Sequence, residues 1–78
     1  MKLIYTTHAK RRMEQRRVSE KEVRWVLTEP DEIEAYNGEA MVTRRSAERI
    51  LKVVYYQMSD DEYRIITVIA QRMRSRRR

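Results

Sequence analysis

The chain has no cysteine, no phenylalanine, one histidine, one glycine and one proline among its 78 residues. Without cysteine there is no disulfide framework and no thiolate zinc site, and one histidine cannot assemble the multi-histidine shell that catalytic zinc or non-haem iron needs. No metal site and no other cofactor is expected; a magnesium ion held by carboxylates is the one arrangement that composition leaves open. The apolar runs are a few residues long, far short of the roughly 20 that a membrane helix requires, and the opening residues lack the apolar stretch of a signal peptide. The expectation is a soluble, cytoplasmic protein with no membrane partner. A chain of this length buries roughly 60% of its unfolded surface, enough for one thin core and one domain.

What is present in excess is arginine. Of the 18 lysines and arginines, five lie in the closing RMRSRRR (Arg72, Arg74, Arg76, Arg77 and Arg78), which leaves 13 basic against 12 acidic residues in 1–71 and only +1 of the formal +6. The chain therefore divides into a near-neutral domain, 1–71, and a basic tail, 72–78, expected to be solvated and disordered. Such a tail adds salt-sensitive attraction to nucleic acid, because every phosphate it neutralises releases counterions. A lipid surface or an acidic protein attracts it too, so the tail does not choose its partner.

Along the domain, Leu3-Ile4-Tyr5 is a short strand-like lead-in. Thr6 or Thr7 caps a helix running to about Arg16, and Val18-Ser19 breaks it before a second helix in which Ser19 and Glu22 fit a capping box. Val23, Val26 and Leu27 share one face there, and Pro30 ends the helix by disfavouring helical geometry at Glu29. Asn37-Gly38 is a type I′ hairpin signal that pairs Ile33 with Val42 and Ala35 with Ala40 on a dry face, leaving Glu32, Glu34, Tyr36, Glu39, Met41 and Thr43 on a mostly wet one. A second hairpin bends at residues 59–62 with an even loop, setting Leu51 opposite Ala70, Val53 opposite Val68 and Tyr55 opposite Ile66. Its other face then carries Lys52, Val54, Tyr56, Ile65, Thr67 and Ile69. The predicted architecture is α+β: two N-terminal helices packed on an antiparallel sheet of about four strands in two hairpins.

The first helix carries the most informative pattern. With Ala9 at zero on a helical wheel, Met13, Arg16, Arg12 and His8 fall at about +40°, −20°, −60° and −100°, while Lys10, Arg11, Glu14 and Arg17 point away. Arg16 thus lies within the apolar stripe, with Arg12 and His8 on its border. An inward guanidinium needs an anion, because an unpaired buried charge costs several kcal/mol. On one reading Asp31, Glu32 or Glu34 supplies it and the arginines are structural. On the other, His8 is a proton carrier beside two planar cations suited to phosphate, the parts that metal-independent RNA cleavage requires. The second proton carrier would be Tyr56, Tyr55 or Tyr63, Lys52, or a carboxylate. Tyr56 with Lys52 also suits stacking a base and holding a phosphate, and Arg44, Arg45 and Arg49 form a further basic cluster. Trp25 is read as packing.

The motifs H-A-x-x-R-M-x-x-R at residues 8–16, V-S-x-x-E-V after it, x-P-D at the end of the second helix, and the closing L-x-V-V and I-I-T-V-I resemble domain of unknown function family 4258 over nearly the whole chain except the tail. The family shows E-R-G where this chain has Gln15-Arg16-Arg17, so the acid is shifted to Glu14 and the glycine is absent. His8, Arg12 and Arg16 match the family's recurrent polar positions, and Thr67 the threonine of its closing strand. Helices ahead of an antiparallel sheet are, by fold analogy, similar to the RelE and BrnT toxins, which cleave mRNA without metal and are neutralised by an antitoxin. No catalytic assignment comes with the resemblance; the inward-leaning arginine pair beside the lone histidine motivates the expectation of an RNA-binding, toxin-like protein, a candidate metal-independent ribonuclease with His8, Arg12, Arg16 and Tyr56 as its catalytic set and RNA held by Lys52, Arg44, Arg45 and the tail arginines. The partners expected are RNA, an antitoxin-like protein by the toxin analogy, and a second copy of the chain in a homodimer. Two alternatives stand beside it: a non-enzymatic nucleic-acid or ribosome-binding module, and a protein-interaction module that pairs through a sheet edge.

Overall fold

The computed structural model describes residues 1–72. Its elements run β1 (Lys2–Tyr5), α1 (Thr7–Arg16), α2 (Glu20–Thr28), β2 (Glu32–Tyr36), β3 (Glu39–Arg45), β4 (Arg49–Gln57) and β5 (Glu62–Arg72). The fold is α+β, as the pattern predicts, but the sheet has five strands and is mixed: its order is β1-β5-β4-β3-β2, with β1 parallel to β5. The lead-in is thus a full member of the sheet, and its place beside the last strand is a long-range pairing that no local pattern encodes. β5 runs to Arg72, one residue into the stretch read as tail. Arg74, Arg76, Arg77 and Arg78 lie outside the described residues.

Both helices are fixed at their starts by the predicted caps. The Thr6 hydroxyl accepts the Ala9 amide at 3.0 Å, and Ser19 and Glu22 form the reciprocal capping box. The end of α1 is a Schellman turn, in which the Val18 amide donates to the Met13 carbonyl at 2.9 Å and Arg17 adopts the left-handed conformation, φ 56°. Val18 and Met13 are both buried, which is the apolar contact that accompanies this motif.

The first hairpin has the predicted register, with Asn37 and Gly38 at φ 50° and 80°. Its predicted dry face is only half realised. Val42 is buried, but Ile33 is 61% exposed and Ala35 is exposed, because α2 reaches β4 and β3 and leaves edge strand β2 uncovered. Thr43, on the other face between Glu32 and Lys52, is buried. In the second hairpin Leu51–Ala70 and Val53–Val68 pair as predicted, but Tyr55 faces Ile65, not Ile66. Gln57 pairs with Tyr63, so five residues, an odd number, separate the paired ends, and a β-bulge at Ile66 restores the register farther up. Ile65 is consequently in the core and not on the outer face.

The core lies between the helices and one face of the sheet: Ala9, Met13, Val18, Val23 and Val26 against Val42, Leu51, Val53, Ile65 and Val68. Each fully buried Val, Leu or Ile contributes about 1.5–3 kcal/mol. α1 offers this core only Ala9 and Met13, so its placement depends on its ends. At the start, the Thr6 amide donates to the Ile65 carbonyl and its hydroxyl to the Ile66 carbonyl, each at 3.1 Å, which ties the helix cap to the bulge. At the far end, Arg49 donates to the carbonyls of Arg16 and Arg17 and pairs with Glu22 at 2.6 Å.

Candidate nucleic-acid interface

α1 carries Lys10, Arg11, Arg12 and Arg16, with Glu14 as its one acid, and Arg17 follows at its C-terminal turn. None of these five cations takes part in an ion pair among the described residues. His8 and Arg16 are exposed and Arg12 is half-buried. The expected inward aim of Arg16 is therefore not realised: the helix ends at that residue, and the Schellman turn brings Val18 into the core beneath the last turn, where the wheel had set Arg16. The structural ion pairs suggested for Arg12 and Arg16 are not formed either. Asp31 and Glu32 are engaged instead by Arg44 and Arg45 at 3.4 Å each.

The other predicted binding arginines are consumed by the fold. The Arg44 guanidinium lies 4.6 Å from the centre of the Trp25 ring and donates to the Glu29 carbonyl at 2.9 Å, so it clamps α2 to β3. Arg45 is held by Asp31 and Glu32, and Arg49 by Glu22. Each pair joins neighbouring elements, which explains the local excess of charge without a ligand. Arg72 ends β5 and is exposed.

Tyr56 and Lys52 do not join the α1 row. Leu51, Val53 and Tyr55 of β4 face the helices, so Lys52, Val54 and Tyr56 alternate onto the opposite, outer face, as does Thr67 opposite Val54. The Tyr56 ring lies over Gly38, whose missing Cβ would stand 3.4 Å from it. The sheet therefore separates Tyr56 from His8, and the four residues expected to form one catalytic set are divided between two faces.

The charges read as pointing to solvent form a site of their own. Lys10, Arg11 and Glu14, with Tyr5, Thr7, Met13 and Glu20, line an open groove of about 470 Å³ between α1 and the start of α2. Burial raises the Tyr5 phenol above its usual 10.0, and Glu20 adds to this while Arg24 opposes it. The wheel already sets Lys10 and Glu14 on the Met13 flank; what it lacks is the turn at Arg17 that brings α2 alongside. A second hollow of about 410 Å³ is lined by Ile33, Ala35, Gly38, Glu39, Ala40, Tyr55 and Gln57 on the uncovered part of the first hairpin. Burial, and to a lesser extent Tyr63, raises the Tyr55 phenol there. Among the described residues no three His, Asp or Glu side chains are placed to hold a metal ion, and no helix is long and apolar enough to cross a membrane.

Residues 5–70 match the family described as Domain of unknown function (DUF4258). The chain belongs to this family. No curated protein and no solved structure matches it. The glycine that the family shows at residue 17 now has a physical reason. That position is the left-handed residue of the Schellman turn, and this DUF4258 member fills it with arginine.

Proposed function

We propose that this domain binds RNA through the exposed side of α1, with Arg12 and Arg16 contacting phosphate and His8 beside them. The observation that carries the reading is the contrast between arginines. Those on β3 and β4 are spent on carboxylates, a ring and carbonyls, whereas the four cations of α1 and Arg17 at its end have no carboxylate partner among the described residues. A row of residues four apart along a helix presents successive cations on one side, and arginine suits bidentate phosphate contact. The basic tail adds to the same attraction.

Binding is favoured over toxin-like cleavage because transesterification needs two proton carriers at one phosphate. With Tyr56 on the far face, His8 stands as the one carrier of the expected set beside Arg12 and Arg16. The test is fluorescence anisotropy on single-stranded and hairpin RNA across a salt series, with and without residues 73–78. Affinity should fall steeply with salt, and Arg12→Ala/Arg16→Ala should reduce the logarithmic salt slope by about 2. Salt-independent binding, or binding unchanged in that double variant, refutes the proposal. In the same samples, RNA cleavage in chelator that His8→Ala abolishes would restore the ribonuclease reading.

A further inference from the structure

Both helices lie on one face of the sheet, and among the described residues no element packs on the other, although Thr43 is buried there among its neighbours. The register arranges that face in rows across β5, β4 and β3: Arg64-Tyr56-Glu39, then Thr67-Val54-Met41, then Ile69-Lys52-Thr43. Its middle holds Met41, Val54, Tyr56 and Ile69 with Lys52 among them, and Tyr56 and Ile69 are exposed at 46 and 36%, as is Ile4 on edge strand β1 at 37%. The charges that surround it are sorted by strand. Arg64 stands on β5, while Glu39 on β3 and Glu34 on β2 lie on the opposite side of the apolar middle; Lys2 and Arg45 already have partners in Glu62 and Glu32.

We infer that this face is the interface of a homodimer, two copies packing sheet against sheet about a two-fold axis parallel to β4. Such an axis carries β5 of one copy over β3 of the other and preserves height along the strands. Arg64 of each copy then meets Glu39 of the second copy, because both stand in the Tyr56 row, and the apolar side chains around Val54 close on each other, while Lys52, on β4 at the axis, faces its own copy and must carry its ammonium out along the strands to water. The Arg64–Glu39 pairing is self-complementary and occurs twice, as an isologous contact requires.

A nucleic acid fits this face less well. Lys2, Arg45, Lys52 and Arg64 are balanced by Glu32, Glu34, Glu39 and Glu62, so a polyanion finds no net attraction there. Five strands at about 4.8 Å spacing and about 25 Å of length present a projection of roughly 600 Å² per copy. Two such faces pass the ~1,000 Å² at which specific interfaces begin. The arrangement is independent of the RNA reading and leaves α1 of both copies facing outward.

The test is sedimentation equilibrium of the full chain from micromolar to millimolar concentration. The expected result is reversible association to twice the 9.6 kDa of one chain. Ile69→Glu, a substitution at an exposed position, should give a monomer with an unchanged circular dichroism spectrum. Arg64→Glu and Glu39→Arg should each weaken the dimer at least tenfold, and the two together should restore it. A monomer at every concentration, or a dimer indifferent to Ile69→Glu, overturns the inference. So does loss of RNA binding in a monomeric Ile69→Glu protein whose parent is equally monomeric, which would give the face to nucleic acid.

Discussion

Replacing Arg17 by glycine should stabilise the protein, and the size of the gain follows from its backbone. Arg17 holds φ 56° and ψ 52°, where the Cβ of an L-residue crowds the following carbonyl at a cost of about 1–2 kcal/mol. Its side chain is exposed and enters no ion pair among the described residues, so little is lost with it. Glycine removes the crowding but gives the unfolded chain more freedom, which returns about 0.4–1 kcal/mol. The net gain is about 0.5–1 kcal/mol, a rise in Tm of roughly 2–8 °C for a domain of this size. Arg17→Ala is the control: it deletes the same charge and keeps the strained conformation, so it should gain nothing. Thermal and urea unfolding followed by far-ultraviolet circular dichroism measures both. Equal stability of the glycine and alanine variants would refute the strain argument, and a gain in both would transfer the effect to charge.

Thr6→Val removes the cap of α1 and the donor to the Ile66 carbonyl together, and should cost about 1.5–3 kcal/mol in urea unfolding. Gly38→Ala should destabilise by about 1 kcal/mol because φ 80° is costly for alanine, even though the space under Tyr56 is nearly sufficient. Burial alone would raise the Glu22 carboxyl, but the Ser19 amide and Arg49 outweigh it and hold the group below its usual 4.5. The folded state then binds fewer protons than the unfolded one, so this stabilisation is present above pH 4.5 and lost as pH falls through the depressed value; Glu22→Gln should flatten the acid side of the stability profile. At the alkaline end the sign reverses. The raised Tyr5 and Tyr55 phenols give stability that holds below pH 10.0 and fades as pH rises through their folded values, observable by phenolate absorbance during unfolding.

The local grammar of the fold was legible because it is written in short-range chemistry. Thr6, the Ser19/Glu22 box, Pro30 and Asn37-Gly38 each act within four residues, and each marks a boundary of an observed element. Register in the first hairpin followed from its two-residue turn. What escaped depends on distant groups. The parallel pairing of β1 needs β5, and the bulge at Ile66 needs an odd loop together with the hydrogen bonds of Thr6. On α1 the wheel set Arg16 innermost with Arg12 and His8 at the border, but it treats a helix as endless, and Arg16 sits on the last turn and is exposed while Arg12 is half-buried. The partners of Arg44, Arg45 and Arg49 were invisible because the acids lie 13 and 27 residues away, and only the assembled layers show which cation each one meets.

The link between Thr6 and Ile66 spans 60 residues, and β1 needs Glu62 to Ile65 before it has any neighbour. During synthesis at about 5–20 residues per second, the leading segment therefore waits roughly 3–12 s with Leu3 and Ile4 unpaired. The first hairpin can close meanwhile, since all its contacts are near in sequence. Folding of a nascent chain should thus proceed from the middle outward, with both extremities joining last, and a stalled translation product that stops short of residue 62 would expose an edge ready to pair with a stranger.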